Sequence, residues 1–479
     1  MPSSQNTTLH TLALPATCLA ALTDTLGADA VRTGSAIPTE RHTDWSGTAP
    51  LAPLAWLRPA STAQVSAALR ICHAHRVPVV AQGGLTGLAG GAVPTPGAVA
   101  LSLDRMNTIE SLDPVAHIVT VQAGATLQAV QEAAQAAGCL FGVDMGARGS
   151  CQIGGNLATN AGGNGVVQFG MMREQTLGLE VVLADGTVLD MLRPMVKNNT
   201  GYDLKHWFIG SEGTLGVITR AQLHLHPAQA ARATALAAVP DVASALALLG
   251  QLQARCPGGV AAFELMWDDF VQHAISWTGQ PRPFEHDHPL LVLTDLSGAD
   301  TSALVDALEA VLGSAMESGL VLDAVLAQSQ AQAAGLWRLR EITAEFPSRL
   351  APINFDISLP QAAIGDFAER CVAALSARFP GHRSLRFGHL GDGNLHLSTD
   401  ARSLPGLSFA EAEHAIESIV YGLVAEAGGS VSAEHGIGLH KKPYLGASRS
   451  PAELAAMRAV KCALDPLNLL NPGKVFDMA

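Results

Sequence analysis

Asp144-Met145-Gly146-Ala147-Arg148-Gly149-Ser150-Cys151-Gln152-Ile153-Gly154-Gly155-Asn156-Leu157-Ala158-Thr159-Asn160-Ala161-Gly162-Gly163 is too rich in glycine and small residues for an ordinary connection. Small residues at this density let a backbone lie against a flat or extended ligand, while Ser, Thr and Asn add donors and acceptors. A second such stretch lies upstream, Gln82-Gly83-Gly84-Leu85-Thr86-Gly87-Leu88-Ala89-Gly90-Gly91, entered from a short strand, Val77 to Ala81. A dinucleotide fingerprint needs a helix directly after its glycines. Pro94 and Pro96 forbid one here, and no Lys-Ser/Thr pair closes a P-loop. Two glycine-rich loops among alternating helices and strands point to a large cofactor with a pyrophosphate. The plainer reading is two structural loops.

Outward from these loops, the pattern predicts a helix and loop over Leu9 to Arg32 and a polar turn at Arg41 to Gly47. Ser61-Thr62-Ala63-Gln64 reads as a capping box, with Val65, Leu69 and Cys72 on one helical face. Strands are expected near Val99–Leu103 and His117–Ala123, a helix from Thr126 to Ala137, and a hairpin turning at Asp185-Gly186. From about Ala228 to Arg383 the chain is Ala/Leu-rich and mixes helices (Val242–Ala254, Thr301–Met316) with strands (His288–Asp295, Ile353–Leu359). A helix is expected from Ser408 to Ala427. The chain ends on the turn-rich run Asp465 to Phe476, which is expected to return to the first domain.

A third stretch carries chemistry: Arg386-Phe387-Gly388-His389-Leu390-Gly391-Asp392-Gly393-Asn394-Leu395-His396. Asp-Gly is a strong signal for a two-residue hairpin turn. Folded there, His389 faces His396, and opposed residues share a face with Cβ atoms roughly 5 Å apart. Two imidazoles so placed make half of a divalent metal site. Glu434 and His435, in Ser-Ala-Glu-His-Gly-Ile-Gly, are the next candidates. Two His and one Glu leave positions open for substrate, as a catalytic metal requires. Ordinary hairpin histidines and a polar loop are the bland alternative. Arg340 suits a bidentate grip on a carboxylate, against a solvated helix charge as the plainer reading.

A chain of 479 residues, 48% hydrophobic, is too long for one ordinary core, so two or three domains are expected. The formal charge of −13, without a basic stripe, argues against a nucleic-acid partner. No apolar run spans a bilayer, and the N-terminus lacks the basic start of a secretory signal. Seven scattered cysteines without a Cys-x-x-Cys pair fit a reducing cytoplasm and small buried side chains.

Together these segments resemble the FAD-dependent 2-hydroxy-acid dehydrogenases of the vanillyl-alcohol-oxidase, or PCMH-type, flavin fold (the FAD-binding oxidoreductase/transferase type 4 family). The likeness runs from about Asp44 to Phe476. Its motifs occur in order: Gln82–Gly91, Ile153–Gly163, Leu177–Asp190, Asn199–Leu204, Ile209–Thr219, Trp337–Glu341, Asp356–Pro360, His389–His396, Ala433–Gly438 and Asn471–Lys474. The D-2-hydroxyglutarate branch is nearest in pattern, with D-lactate and glycolate enzymes behind it. The resemblance implies an α+β fold: an N-terminal arm (1–48), a PCMH-type FAD-binding domain of two α/β subdomains (49–227), an α+β substrate- and metal-binding domain (228–430) and a C-terminal segment returning to the FAD domain (431–479).

The same resemblance implies the site. Gln82, Gly83, Gly84, Leu85, Thr86, Gly87 and Leu88 would cradle FAD with Asp144, Gly146, Ser150, Gly154, Gly155, Ala158, Thr159, Asn160, Gly162 and Gly163. Glu212, Gly213 and Ile218 would lie along the adenine end, and Asn471 near the flavin. Leu85 stands where some members carry a flavin-linking His, which implies non-covalent FAD. His389, His396 and Glu434 would hold zinc or manganese, with His435 as general base. Arg340, Thr343, Asn354, Ser398 and His435 would meet the substrate. Three departures fall where the far end of a dicarboxylate would be read: Asn354 replaces a Lys, Ser398 replaces an Asn, and the Arg340–Asp356 spacing is one residue shorter. D-2-hydroxyglutarate leads the expected substrates, followed by D-lactate and related acids. Electrons would pass to an electron-transfer flavoprotein, a quinone or a cytochrome. A cytoplasmic homodimer, or one peripheral at the inner membrane, is expected. The rivals are an oxygen-using oxidase of the same fold, such as a glycolate oxidase subunit, a metal-dependent hydrolase, and a non-catalytic subunit of a larger complex.

Overall fold

Strands Val99–Ser102 and Val79–Gln82 run parallel at the edge of a four-stranded sheet. Val99–Ser102 is buried along its whole length, as a parallel strand covered on both faces should be. Trp56–Leu57 pairs with it in parallel, and Val31–Arg32 closes the sheet antiparallel. A five-stranded antiparallel sheet follows, ordered Ile109–Asp113, Ile118–Gln122, Val217–His224, Thr176–Val182, Val188–Met191. The computed structural model describes residues 13–404 and 406–478.

The second half is built on one seven-stranded antiparallel sheet. Its order is Asp323–Leu326, Ala231–Val239, Leu290–Gly298, Val260–Trp267, Ser384–His389, Asn394–Asp400, Pro352–Ser358. Helices Val242–Arg255, Thr301–Glu317, Ile364–Arg378 and Phe409–Glu426 bury apolar faces in the core on one side of it. On the other, Phe270, Leu339 and Phe346 pack with Phe387 in a smaller cluster. This leaves the central strands positioned between packed layers, where their polar residues must find partners.

The last segment returns to the first half. Asn471 N–H donates to the Val79 carbonyl and Val79 N–H to the Leu469 carbonyl, both at 2.8 Å. Leu470 joins the core formed by residues between Cys18 and Leu225. Lys461, buried at the end of helix Pro451–Leu464, binds Asp465 and the carbonyls of Thr214 and Leu470.

Local expectations differ from the structure in three places. The N-terminal helix covers Ala16–Leu26 and gives way to a 3-10 turn before Arg32; Leu9 to Leu12 lies outside the described residues. Ser61 caps helix Thr62–His75 as expected, but the Gln64 side chain accepts the N–H of Ala60 and not that of Ser61. The hairpin at Asp392-Gly393 is not a two-residue turn. A 3-10 turn, Leu390–Asp392, precedes Gly393, which alone takes positive φ, so His389 pairs with Asn394 and Phe387 with His396. The register moves by two residues. Because side chains alternate with a period of two, the histidines keep a common face, as diagonal neighbours instead of a direct pair. Among the described residues, no helix is long and apolar enough to cross a membrane.

Candidate active site

The two glycine-rich segments lie against each other. A Cβ on Gly84 would stand 1.9 Å from the Ser150 carbonyl oxygen, so this contact permits only glycine. Part of the glycine density therefore serves loop-to-loop packing. The rest opens on a cavity of about 830 Å³, within the ~300–1,000 Å³ usual for ligand pockets. Residues 82–88 line it, as do Gly146, Gly154, Gly155, Ala158, Thr159, Gly162, Gly163, Glu212, Gly213 and Ile218. Two side-chain oxygens of wall residues, Gln82 Oε1 and Gln152 Oε1, are buried without a partner among the described residues. Unpaired buried acceptors beside a glycine-lined wall fit a ligand with its own donors, as a flavin dinucleotide has.

Four expected cofactor residues stand outside the cavity wall, each occupied elsewhere. Asp144 accepts from Gln131 and pairs with Arg148. Ser150 offers its backbone to Gly84. Asn160 accepts the Arg173 N–H at 2.9 Å. Asn471 is buried, and its amide donates to the carbonyls of Gly91 and Glu212. Glu212 lines the wall, but its carboxylate clamps the chain's end by accepting the N–H groups of Ile437 at 2.7 Å and Gly438 at 2.8 Å. Burial pushes its pKa up, and those two donors work against the rise.

At the other end of the same cavity stand Arg340, Thr343, Asn354, Ser398, His389, His396, Glu434 and His435. Strand register explains the grouping. Glu264, His389 and Asn394 form one row across the sheet; Met266, Phe387, His396 and Asp356 form the next; Leu385, Ser398 and Asn354 the third. The rings of His389 and His396 lie 5.4 Å apart at 81°. Glu434 approaches from the C-terminal segment, and the three residues offer ligand atoms within 4.8 Å of one another. Asp356, Glu434 and His435 form a second, overlapping set.

Electrostatics separate the two histidines. Burial holds His396 well below the ordinary imidazole range despite the Asp356 charge nearby, leaving it neutral with a free lone pair. Burial also opposes charge on His389, but the Glu264 carboxylate overrides it by charge and hydrogen bond and lifts the pKa to about 9. An incoming metal would have to displace that proton. The donor set, two imidazoles and a carboxylate with room beside them, suits zinc or a similar divalent ion.

Two carboxylates to which sequence reading gave no role in the site organise it. Asp356, fully buried, accepts the N–H groups of Glu434 and His435 at 2.9 Å each, the Asn394 amide at 2.8 Å and Lys441 at 3.3 Å. It lies 3.6 Å from Nδ1 of His435. Burial opposes its charge, yet His435, Lys441 and His396 hold its pKa well below the usual carboxylate range. Glu264, also buried, binds His389 Nδ1 at 2.6 Å and accepts from Arg340 Nε at 2.7 Å. The signal was present: Glu264 is the lone charge in the eight-residue run Val260–Trp267, every residue of which is buried. Such an acid is expensive to bury without a task.

Residues 53–192 match the FAD binding domain family, and residues 228–475 match the FAD linked oxidases, C-terminal domain. The chain is 41% identical to D-2-hydroxyglutarate dehydrogenase of Xanthomonas citri pv. viticola over 437 residues, 91% of each protein. It is 39% identical to the mitochondrial D-2-hydroxyglutarate dehydrogenase of Rattus norvegicus, covering 91% of this chain and 80% of that one. Among solved structures, 4-ethylphenol oxidase from Gulosibacter chungangensis superposes with a TM-score of 0.73 over 96% of this chain and 97% of that one. At 18% identity, this likeness speaks to the fold alone.

Proposed function

The chain belongs to the FAD-linked oxidase family, and from that premise we propose the following reading: it is an FAD-dependent dehydrogenase that converts a D-2-hydroxy acid to the 2-oxo acid, assisted by a divalent metal. One observation carries the reading. The glycine-lined wall and the His389, His396, Glu434, His435 and Arg340 group face one continuous cavity.

FAD, when bound, would accept the hydride from the α-carbon, and a divalent metal would lower the pKa of the α-hydroxyl. His389, His396 and Glu434 would hold that metal. Glu434 is positioned by the Gly163 N–H, which its Oε1 accepts. His435 takes the hydroxyl proton, oriented by Asp356 at its Nδ1 side. Arg340 grips the carboxylate through its terminal nitrogens, which have no hydrogen-bond partner among the described residues. Thr343, Asn354 and Ser398 meet the remainder of the acid. FAD is held without a covalent bond along residues 82–88 and 154–163. D-2-hydroxyglutarate and D-lactate are the acids to try first. The enzyme is cytoplasmic and homodimeric, and passes electrons to a flavoprotein, quinone or cytochrome.

The test is anaerobic titration of the purified holoprotein with D- and L-2-hydroxy acids, before and after chelation. Bleaching of the visible flavin band by a D-acid, abolished by chelation and restored by zinc, is the expected result. A yellow protein that no 2-hydroxy acid bleaches would retire the substrate class.

A further inference from the structure

We propose that Glu264 is a positioning residue that ties metal binding to the grip on the substrate carboxylate, so that neither can be set without the other. The inference rests on the metal-assisted reading above and concerns a residue outside every motif used to reach it.

The argument begins with cost. Glu264 is 1% exposed, in the middle of a buried sheet strand whose other residues are apolar. An ionised carboxylate there needs full compensation. Its two oxygens are divided between two partners. Oε1 faces Nδ1 of His389, and Oε2 accepts from Nε of Arg340. Among the described residues it has no other hydrogen-bond partner.

Each bond has a consequence. A carboxylate at Nδ1 requires the proton there, so the lone pair of the neutral ring sits on Nε2 and the ring plane is fixed. His389 is thereby set as a ligand on the side facing His396 and Glu434. At the second oxygen, using Nε leaves the two terminal nitrogens of Arg340, which lines the cavity, for an acid bound there. The Phe387 ring beneath the guanidinium, 4.6 Å from Cζ, fixes its plane. Phe387 in turn stacks on His396 at 4.9 Å and 23°. One carboxylate thus sets both the ion's position and the direction from which the acid's charge is held. A 2-hydroxy acid must satisfy both at once, because its hydroxyl and carboxylate are on adjacent carbons.

Glu264→Gln separates this role from a structural one. Glutamine keeps the shape but has one acceptor and one donor group, so it cannot accept from His389 and Arg340 together. The holoprotein variant is compared with wild type for zinc affinity, by competition with a chromophoric chelator, and for kcat and KM with the best acid. We expect zinc affinity to fall ~10–100-fold, the range for lost second-layer partners of metal ligands. KM should rise several-fold at saturating zinc, with the flavin spectrum unchanged. Glu264→Asp keeps both oxygens and is expected to recover part of both losses; if the Gln variant does not fold, Asp alone must still weaken both constants relative to wild type. Wild-type zinc affinity and KM in either folded variant, with only thermal stability reduced, would overturn the proposal. A wild-type enzyme that is indifferent to chelation would instead overturn the metal-assisted reading itself.

Discussion

The backbone N–H of Gly163 donates to Oε1 of Glu434 at 2.7 Å, joining the glycine-rich cofactor wall to a candidate metal ligand 271 residues away. The contact is tight: a Cβ on the adjacent Gly162 would stand 3.0 Å from the same oxygen. Glu434→Gln can keep the bond through its carbonyl oxygen while replacing the other carboxylate oxygen with an amide nitrogen that is a poor metal ligand. Activity should fall by at least ~10³-fold, as when a major transition-state stabiliser is removed, while FAD content stays at wild type. Flavin absorbance, zinc content and turnover on one preparation check this.

Ser398 donates its hydroxyl to the Asn354 side-chain oxygen at 2.8 Å, one row beyond His396 on the sheet. Neither residue carries a charge, and among the described residues Arg340 is the only Arg or Lys lining the cavity. Asn354→Lys adds a cation there. The ratio of kcat/KM for D-2-hydroxyglutarate over D-lactate should rise at least tenfold, about 1.4 kcal/mol. An unchanged ratio would place the distal end of the acid elsewhere.

Glu212→Gln tests the clamp on the C-terminal segment. The variant can accept only one of the two N–H groups of Ile437 and Gly438 through a single oxygen, which leaves a buried donor short at ~1–3 kcal/mol. His435 lies two residues before this clamp. The expected outcome is a loss in kcat larger than the rise in KM, together with weaker FAD retention on dilution.

His226, which does not line the cavity, gives a separate pH effect. Burial lowers its pKa to about 4, with the charges of His224 and His117 adding to the shift. The unfolded chain therefore binds more protons than the folded one between about pH 4 and the ordinary value near ~6.5. Its contribution to stability is present above that window and is lost as the pH falls through it. His226→Gln should flatten this part of the stability–pH curve in chemical denaturation.

Much of this protein was legible because the deciding interactions are local. Glycine density, the prolines after the first loop, the Ser61 cap and the helix starting at Ser408 depend on neighbours within a few residues. Even where the hairpin register was misjudged, the period of two kept His389 and His396 on one face. The turn type was missed because Asp392 joins a 3-10 turn while Gly393 alone bears the positive φ.

By itself, the sequence marked the two glycine-rich stretches, the paired histidines and the Glu434-His435 step, and its resemblance to a known family supplied the class of chemistry. Only the tertiary structure decided which acids serve them. Glu264 meets His389 across 125 residues, Asp356 meets the Glu434 N–H across 78, and Glu212 reaches Ile437 across 225. A carboxylate's partner is chosen by distance in space and by the absence of water to solvate its charge. Neither quantity exists until the sheet and the returning C-terminal segment have packed.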